Sequence, residues 1–222
     1  MRKQPLVTGK HYHIYTKTIA GFKIFNQRDD FLRLRNILRF AQSVDALTPL
    51  SQLLSLKTKE ADRRREGILS SEKQVEIIAY CIMPTHVHFF LKQLREEGIS
   101  RFMNRTLLSY TRFFNLKHKR KGPLWESRFQ SVPIENDTQA IHLTRYIHLN
   151  PATAGLVKSP DEWEFSSYHE YICEDEPEEG ICKYKDLFDL KVGEYKKFVS
   201  DRAGYQRELA RIKGLILETD FN

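Results

Sequence analysis

Two histidines separated by one residue, His86 and His88, stand in the apolar run Cys81-Ile82-Met83-Pro84-Thr85-His86-Val87-His88-Phe89-Phe90-Leu91. Side chains at i and i+2 of an extended chain point to the same face, so both imidazoles project side by side. Neighbouring imidazoles can chelate one divalent cation. The same tripeptide also describes two half-buried histidines with satisfied hydrogen bonds, and alone it does not decide. Tyr146 is the second group with chemistry, in Leu143-Thr144-Arg145-Tyr146-Ile147-His148-Leu149-Asn150-Pro151. A phenol can act as a covalent nucleophile, helped by a nearby cation that favours the phenolate. Asn150 lies four residues on, hence on the same helix face, and its amide oxygen could be a third metal ligand. A helical tyrosine is ordinarily a packing residue, so the nucleophile reading depends on the conjunction with the histidine pair. His142, one turn earlier, suits packing or hydrogen bonding, and His11 and His13 are read as structural despite sharing the one-residue spacing.

A third feature is the basic, aromatic-laced stretch with Arg101, Arg105, Arg112, Lys117, Lys119, Arg120, Lys121 and, after Trp125, Arg128. Cations contact phosphates and aromatic rings stack on unpaired bases. The alternative places the rings in the core and the charges on a solvated helix end. Both are expected in part, with Phe102, Phe113 and Phe114 mostly core and Lys117–Lys121 mostly facing DNA.

These groups need elements to position them. His11–Ile19 is rich in β-branched and aromatic residues and reads as a strand. Phe31, Leu34, Ile37, Leu38 and Ala41 recur at helical spacing and predict a helix over 28–43. Val75–Met83 and His86–Lys92 read as strands joined at Pro84-Thr85. A helix over Ile99–Lys117, a strand over Phe129–Ile134 and a helix capped by Asp137 and stopped by Pro151 complete the order. Strand, helix, hairpin, helix, strand, helix predicts an α+β fold, one antiparallel sheet with flanking helices. Residues 44–74 read as an insertion, with an apolar cluster at Leu50–Leu56 and then a charged run, forming a helix with a mobile, solvated loop. The acidic patch Glu174–Glu179 reads as a linker to small helices at Tyr184–Phe198 and Ala203–Ile216. The predicted division is a catalytic domain over 1–173 and an extension over 174–222, dispensable for the chemistry.

Composition narrows the setting. The 222 residues carry a net charge of +7, distributed as +14 over 1–160 and −7 over 161–222, which directs a polyanionic partner to the first part. Three cysteines with no metal-ligand pairing fit a reducing cytoplasm. No apolar stretch approaches the roughly 18–20 residues of a membrane span, and the basic N-terminus lacks the apolar run of a signal peptide. A cytoplasmic protein with no membrane partner is expected.

Ala79-Tyr80-Cys81-Ile82-Met83-Pro84-Thr85-His86-Val87-His88 resembles the strand–turn–strand of the single-tyrosine HUH transposases. Gly122-Pro123-Leu124-Trp125-Glu126-Ser127-Arg128-Phe129 and Arg145-Tyr146-Ile147-His148-Leu149-Asn150-Pro151-Ala152-Thr153-Ala154-Gly155-Leu156-Val157 are similar to downstream blocks of the REP-associated tyrosine transposase branch of this IS200-like family. The resemblance spans roughly residues 5–170, with three blocks in the family's order. It implies a fold topologically like ferredoxin or an RNA-recognition motif, His86 and His88 as the metal pair, Tyr146 as the nucleophile, and Asn150 where relatives place an amide ligand. It also implies single-stranded DNA beside a hairpin as partner, cut and rejoined through a 5′-phosphotyrosine. The insertion and the tail depart from the minimal family unit. Mg²⁺ and Mn²⁺ are the expected metals: two imidazoles suit Mn²⁺ better, and abundance favours Mg²⁺. A monomer or homodimer is expected. The competing readings are a nucleic-acid-binding module or domesticated regulator that does not cut, and a hydrolase in which the histidines activate water.

Overall fold

The computed structural model describes residues 5–44, 58–126, 128–174, 180–189 and 191–201. Four strands, β1 (His11–Lys17), β2 (Val75–Ile82), β3 (His86–Gln93) and β4 (Gln130–Ile134), form one sheet in the order β2-β3-β1-β4. All neighbours are antiparallel. Helices α1 (Arg28–Ala41), α2 (Lys59–Ser70), α3 (Gly98–Lys117), α4 (Asp137–Thr153), α5 (Tyr168–Ile172) and α6 (Val192–Ser200) complete it. Leaving α2 aside, the succession β1-α1-β2-β3-α3-β4 is that of a ferredoxin-like fold. The expected α+β architecture is therefore present.

Strand alternation divides the core in two. Tyr12, Ile14, Val87, Phe89 and Leu91 point to one face, where α1 and α3 bury Leu34, Ile37, Leu38, Phe102, Tyr110 and Phe114 against them. The other face carries His13 and Tyr15 of β1 and His86, His88 and Phe90 of β3, because Tyr15 pairs with His88 and Lys17 with His86. It is covered by α4, α5 and α6 through Leu143, Tyr146, Ile147, Tyr171 and Tyr195. The β2–β3 turn at Pro84-Thr85 is closed by Met83 N–H donating to the His86 carbonyl at 2.9 Å. It is buttressed by Thr18 N–H donating to the Thr85 carbonyl at 2.8 Å.

Several boundaries differ from expectation. The inserted helix falls on the charged run: α2, capped by Thr58, whose side chain accepts from Ala61 N–H, buries Ala61 and Ile68. The apolar cluster at Leu50–Leu56 lies outside the described residues. Asn136, not Asp137, caps α4, accepting from Gln139 N–H at 2.9 Å. Pro151 does not stop α4, which runs on to Thr153; so near the C-terminus a missing N–H removes only one bond of a final turn. In the tail, the described helix is α6, Val192–Ser200, in place of the expected Tyr184–Phe198. Tyr184, Phe188, Tyr195 and Val199 are buried in the second core, while the acidic residues 175–179 and the expected helix at Ala203–Ile216 lie outside the described residues.

Candidate active site

β3 presents His86 and His88 on one face, and α4 lays Tyr146 against that same face. The rings of His88 and Tyr146 meet edge to face with centroids 5.6 Å apart. His86 and His88 lie at right angles, 5.1 Å apart. Tyr146 and His88 are buried; His86, nearest the turn, is more open. Lys17 on β1 sits directly across from His86 and pairs with Glu126 at 3.8 Å.

His13 also belongs to this cluster. Its ring stacks on His88 with centroids 5.3 Å apart and an 11° tilt, and meets the edge of Tyr146 at 5.9 Å. His13 Nε2 and His88 Nδ1 are hydrogen-bonded at 3.0 Å. The sequence signal was the His11–His13 spacing, which does not reveal that β1 and β3 are adjacent, with His13 diagonal to His88. Lys17 was missed for the same reason.

Electrostatics keep these rings neutral. Burial pushes His13 down to about 3. Burial, then the neighbouring Lys17 charge, pushes His86 down to about 4. Burial, with the His86 and His13 charges adding, holds His88 well below its ordinary value. A neutral imidazole is the form that binds a metal.

In chemistry, two neutral imidazoles on one strand face suit one divalent ion. His86 Nδ1 is hydrogen-bonded to Thr85 Oγ1 at 3.0 Å, and His88 Nδ1 to His13. Among the described residues no hydrogen bond engages the Nε2 of either ring. Asn150 donates its Nδ2 to the Tyr146 carbonyl at 3.2 Å, so that Oδ1 is the amide atom that could serve a ligand role. Among the described residues there is no cluster of three or more His, Cys, Asp or Glu able to hold a metal, so oxygen ligands would have to come from Asn150 or from the substrate.

The basic segment lies elsewhere. α3, with Arg101, Arg105, Arg112 and Lys117, packs on the face opposite the histidines. Arg105 donates to the Ser43 carbonyl at 2.7 Å and Arg101 pairs with Glu97 at 3.4 Å. Lys117, expected to face DNA, is exposed and donates to buried Asp30 at 2.6 Å. Arg120 bonds the Pro123 carbonyl at 3.2 Å. Arg112, Lys119, Lys121 and Arg128 are exposed. Phe102 and Phe114 are buried as expected. A groove of about 540 Å³ between α3 and the 123–129 segment is lined by Asn104, Leu108, Trp125 and Arg128, away from the histidines.

Behind the tyrosine helix lies a buried polar network. His148 Nδ1 is hydrogen-bonded to the Tyr195 hydroxyl at 2.6 Å and His148 Nε2 to Ser167 Oγ at 2.7 Å. Tyr195 donates to Thr144 Oγ1 at 3.0 Å. Arg145 donates to the Phe198 carbonyl and stands over the Phe198 ring at 4.2 Å. α4 is thus fastened to the tail through Tyr195 and Phe198, and through Ser167 to Tyr80 of β2.

The chain is similar to known proteins. The family described as "Transposase IS200 like" matches residues 55–150. A REP-associated tyrosine transposase of Escherichia coli is 30% identical over 123 residues, covering 54% of this chain and 69% of the relative. A Haemophilus influenzae protein of the same description is 28% identical over 104 residues, covering 42% of this chain and 59% of the relative, so the match spans little more than half of that protein. A solved REP-associated tyrosine transposase bound to a REP hairpin aligns over 86% of this chain and 94% of that one, at 20% identity and a TM-score of 0.48.

Proposed function

The chain belongs to the REP-associated tyrosine transposase family, and from that premise we propose that it cleaves and rejoins single-stranded DNA beside hairpins, with Tyr146 as nucleophile. The observation that carries the reading is the edge-to-face contact of Tyr146 with His88, whose strand also presents His86. A nucleophile and a phosphate-binding site must reach one phosphorus atom within a few ångströms.

The phenol oxygen of Tyr146 attacks the scissile phosphorus in line. The P–O3′ bond breaks, the phenol loses its proton, and the departing oxygen takes one up as a free 3′-hydroxyl. The strand's 5′ phosphate is held as a phosphotyrosine ester. Attack by another 3′-hydroxyl reverses these steps, so strands rejoin without nucleotide hydrolysis. His86, His88 and Asn150 are the residues that would hold Mg²⁺ or Mn²⁺. Bound there, such an ion supplies Lewis-acid polarisation of the phosphate. Thr85 and His13 fix the two imidazole rings through their Nδ1 atoms. Lys17, across from His86, places positive charge at the open end of the pair. Arg112, Lys119, Lys121 and Arg128 are among the exposed cations of the basic segment and are proposed to hold DNA phosphates.

The proposed partner, a hairpin with adjoining single strand, accords with the REP-associated description of the relatives. The test is cleavage of an end-labelled oligonucleotide carrying such a hairpin, in Mn²⁺. Tyr146→Phe keeps the ring and removes the oxygen, so DNA binding should persist while cleavage disappears. Full cleavage by that variant would assign the attack to water or another residue.

A further inference from the structure

We propose that His13 is a positioning residue for the metal: its Nε2 accepts the Nδ1 hydrogen of His88 and so holds the His88 ring with Nε2 as the ligating nitrogen. This rests on the proposed function, in which His88 is a metal ligand.

Two neutral imidazoles joined by one N···N hydrogen bond have a single proton between them. His13 Nε2 and His88 Nδ1 are 3.0 Å apart, and both rings are fully buried. If the proton belongs to His13, then His88 carries its own hydrogen on Nε2 and cannot ligate there. If it belongs to His88 Nδ1, the Nε2 lone pair is bare. Ligation therefore requires His13 to be the acceptor. No other hydrogen bond to His88 Nδ1 exists among the described residues. As acceptor, His13 carries its own hydrogen on Nδ1, buried and without a hydrogen-bond partner among the described residues; with His13 removed, the unpartnered N–H falls on the metal-bound His88 itself, which weakens the ligand's hold. The stack on His13 further limits rotation of the His88 ring. The arrangement mirrors His86, whose Nδ1 is engaged by Thr85 Oγ1; His13 is the corresponding support, reached across the sheet from another strand.

The test measures Mn²⁺ binding to the full chain, by the loss of the free-ion electron paramagnetic resonance signal, in wild type, His13→Phe, His13→Gln and His88→Ala. His13→Phe should weaken Mn²⁺ binding about tenfold to a hundredfold. His13→Gln, whose amide oxygen can accept from His88, should recover most of it. Binding by His13→Phe equal to wild type would overturn the proposal. Equal weakening in Phe and Gln variants would overturn it too, because packing alone would then explain the loss. Wild type binding no better than His88→Ala would instead remove the metal reading itself. Independently of metal affinity and of how any variant folds, ¹⁵N couplings across the N–H···N bond in Mg²⁺-saturated wild-type protein report the donor. A proton on His88 Nδ1 supports the assignment; one on His13 Nε2 refutes it.

Discussion

Lys117 shows how a single side chain can be committed to the fold while looking, by composition, like a nucleic-acid contact. Its ammonium lies 2.6 Å from Asp30, whose carboxylate is almost wholly buried. Burial pushes the Asp30 carboxyl up, but the bonds from Lys117, Gln27 and Asn26 outweigh it and hold it below its usual range. Lys117→Gln should therefore destabilise the protein by about 1–3 kcal/mol, the cost of an undersatisfied buried polar group, as read by urea unfolding. Exposed Arg112, Lys119 and Lys121 have the opposite profile. Changing those three to Gln should leave stability nearly unchanged and lower the salt slope of single-strand binding by roughly 0.7 for each phosphate no longer neutralised. A Lys117→Gln protein with wild-type stability and a reduced slope would reverse these assignments. The charge run itself was plain in the sequence. Which cation was already paired was not, because Asp30 and Lys117 lie on different helices and meet only once α1 and α3 pack.

Among the elements, α4 is the one on which the site depends, and it is held from two sides. The sheet takes Tyr146 and Ile147, while the tail takes His148, Thr144 and Arg145. Tyr195→Phe would strand the His148–Thr144 side of this network and should cost about 1–3 kcal/mol. Truncation at Glu174 removes Tyr184, Phe188, Tyr195 and Val199 from the second core. Such a protein should show lost near-ultraviolet circular dichroism; native-like spectra and melting would contradict this.

Acid should loosen the same network. Burial pushes His148 down to about 3, whereas an unfolded histidine titrates near 6.5. Between those values the unfolded chain binds the extra proton, so stability is present above about 6.5 and is lost as pH falls toward 3. His148→Gln should flatten the fall of stability between pH 6 and 4 by up to roughly 1.4 kcal/mol per pH unit. An identical slope in both proteins would show that His148 does not titrate on unfolding. Here the limit of sequence reading is physical. Residue patterns located β1, β2, β3, α1, α3 and α4, each of which buries a face, and also β4, whose residues are half-buried or exposed. How the tail packs has a weak sequence signal, because its acidic residues dominate composition and its buried Tyr184, Phe188, Tyr195 and Val199 are spread thinly among them. Strand adjacency, which brings His13 and Lys17 to the site, is a matter of pairing and has no local signature.

For the molecule as a whole, the sheet separates two kinds of surface. The histidines and Tyr146 lie under α4 on one face, and the basic helix α3 covers the other. Among the described residues no helix is long and apolar enough to cross a membrane. DNA that touches both the site and the cations of α3 has to pass around the sheet, so binding and chemistry should be separable by mutation. The central claim is that Tyr146 itself becomes joined to DNA. The direct measurement is to incubate the full chain with Mn²⁺ and a hairpin-bearing single strand, digest it, and locate the nucleotide-modified peptide by mass spectrometry. The proposed chemistry predicts one modified peptide, containing Tyr146, with the nucleotide attached through its 5′ phosphate and no such peptide from Tyr146→Phe. Cleaved DNA with no covalent peptide, or an adduct on any other residue, would contradict it.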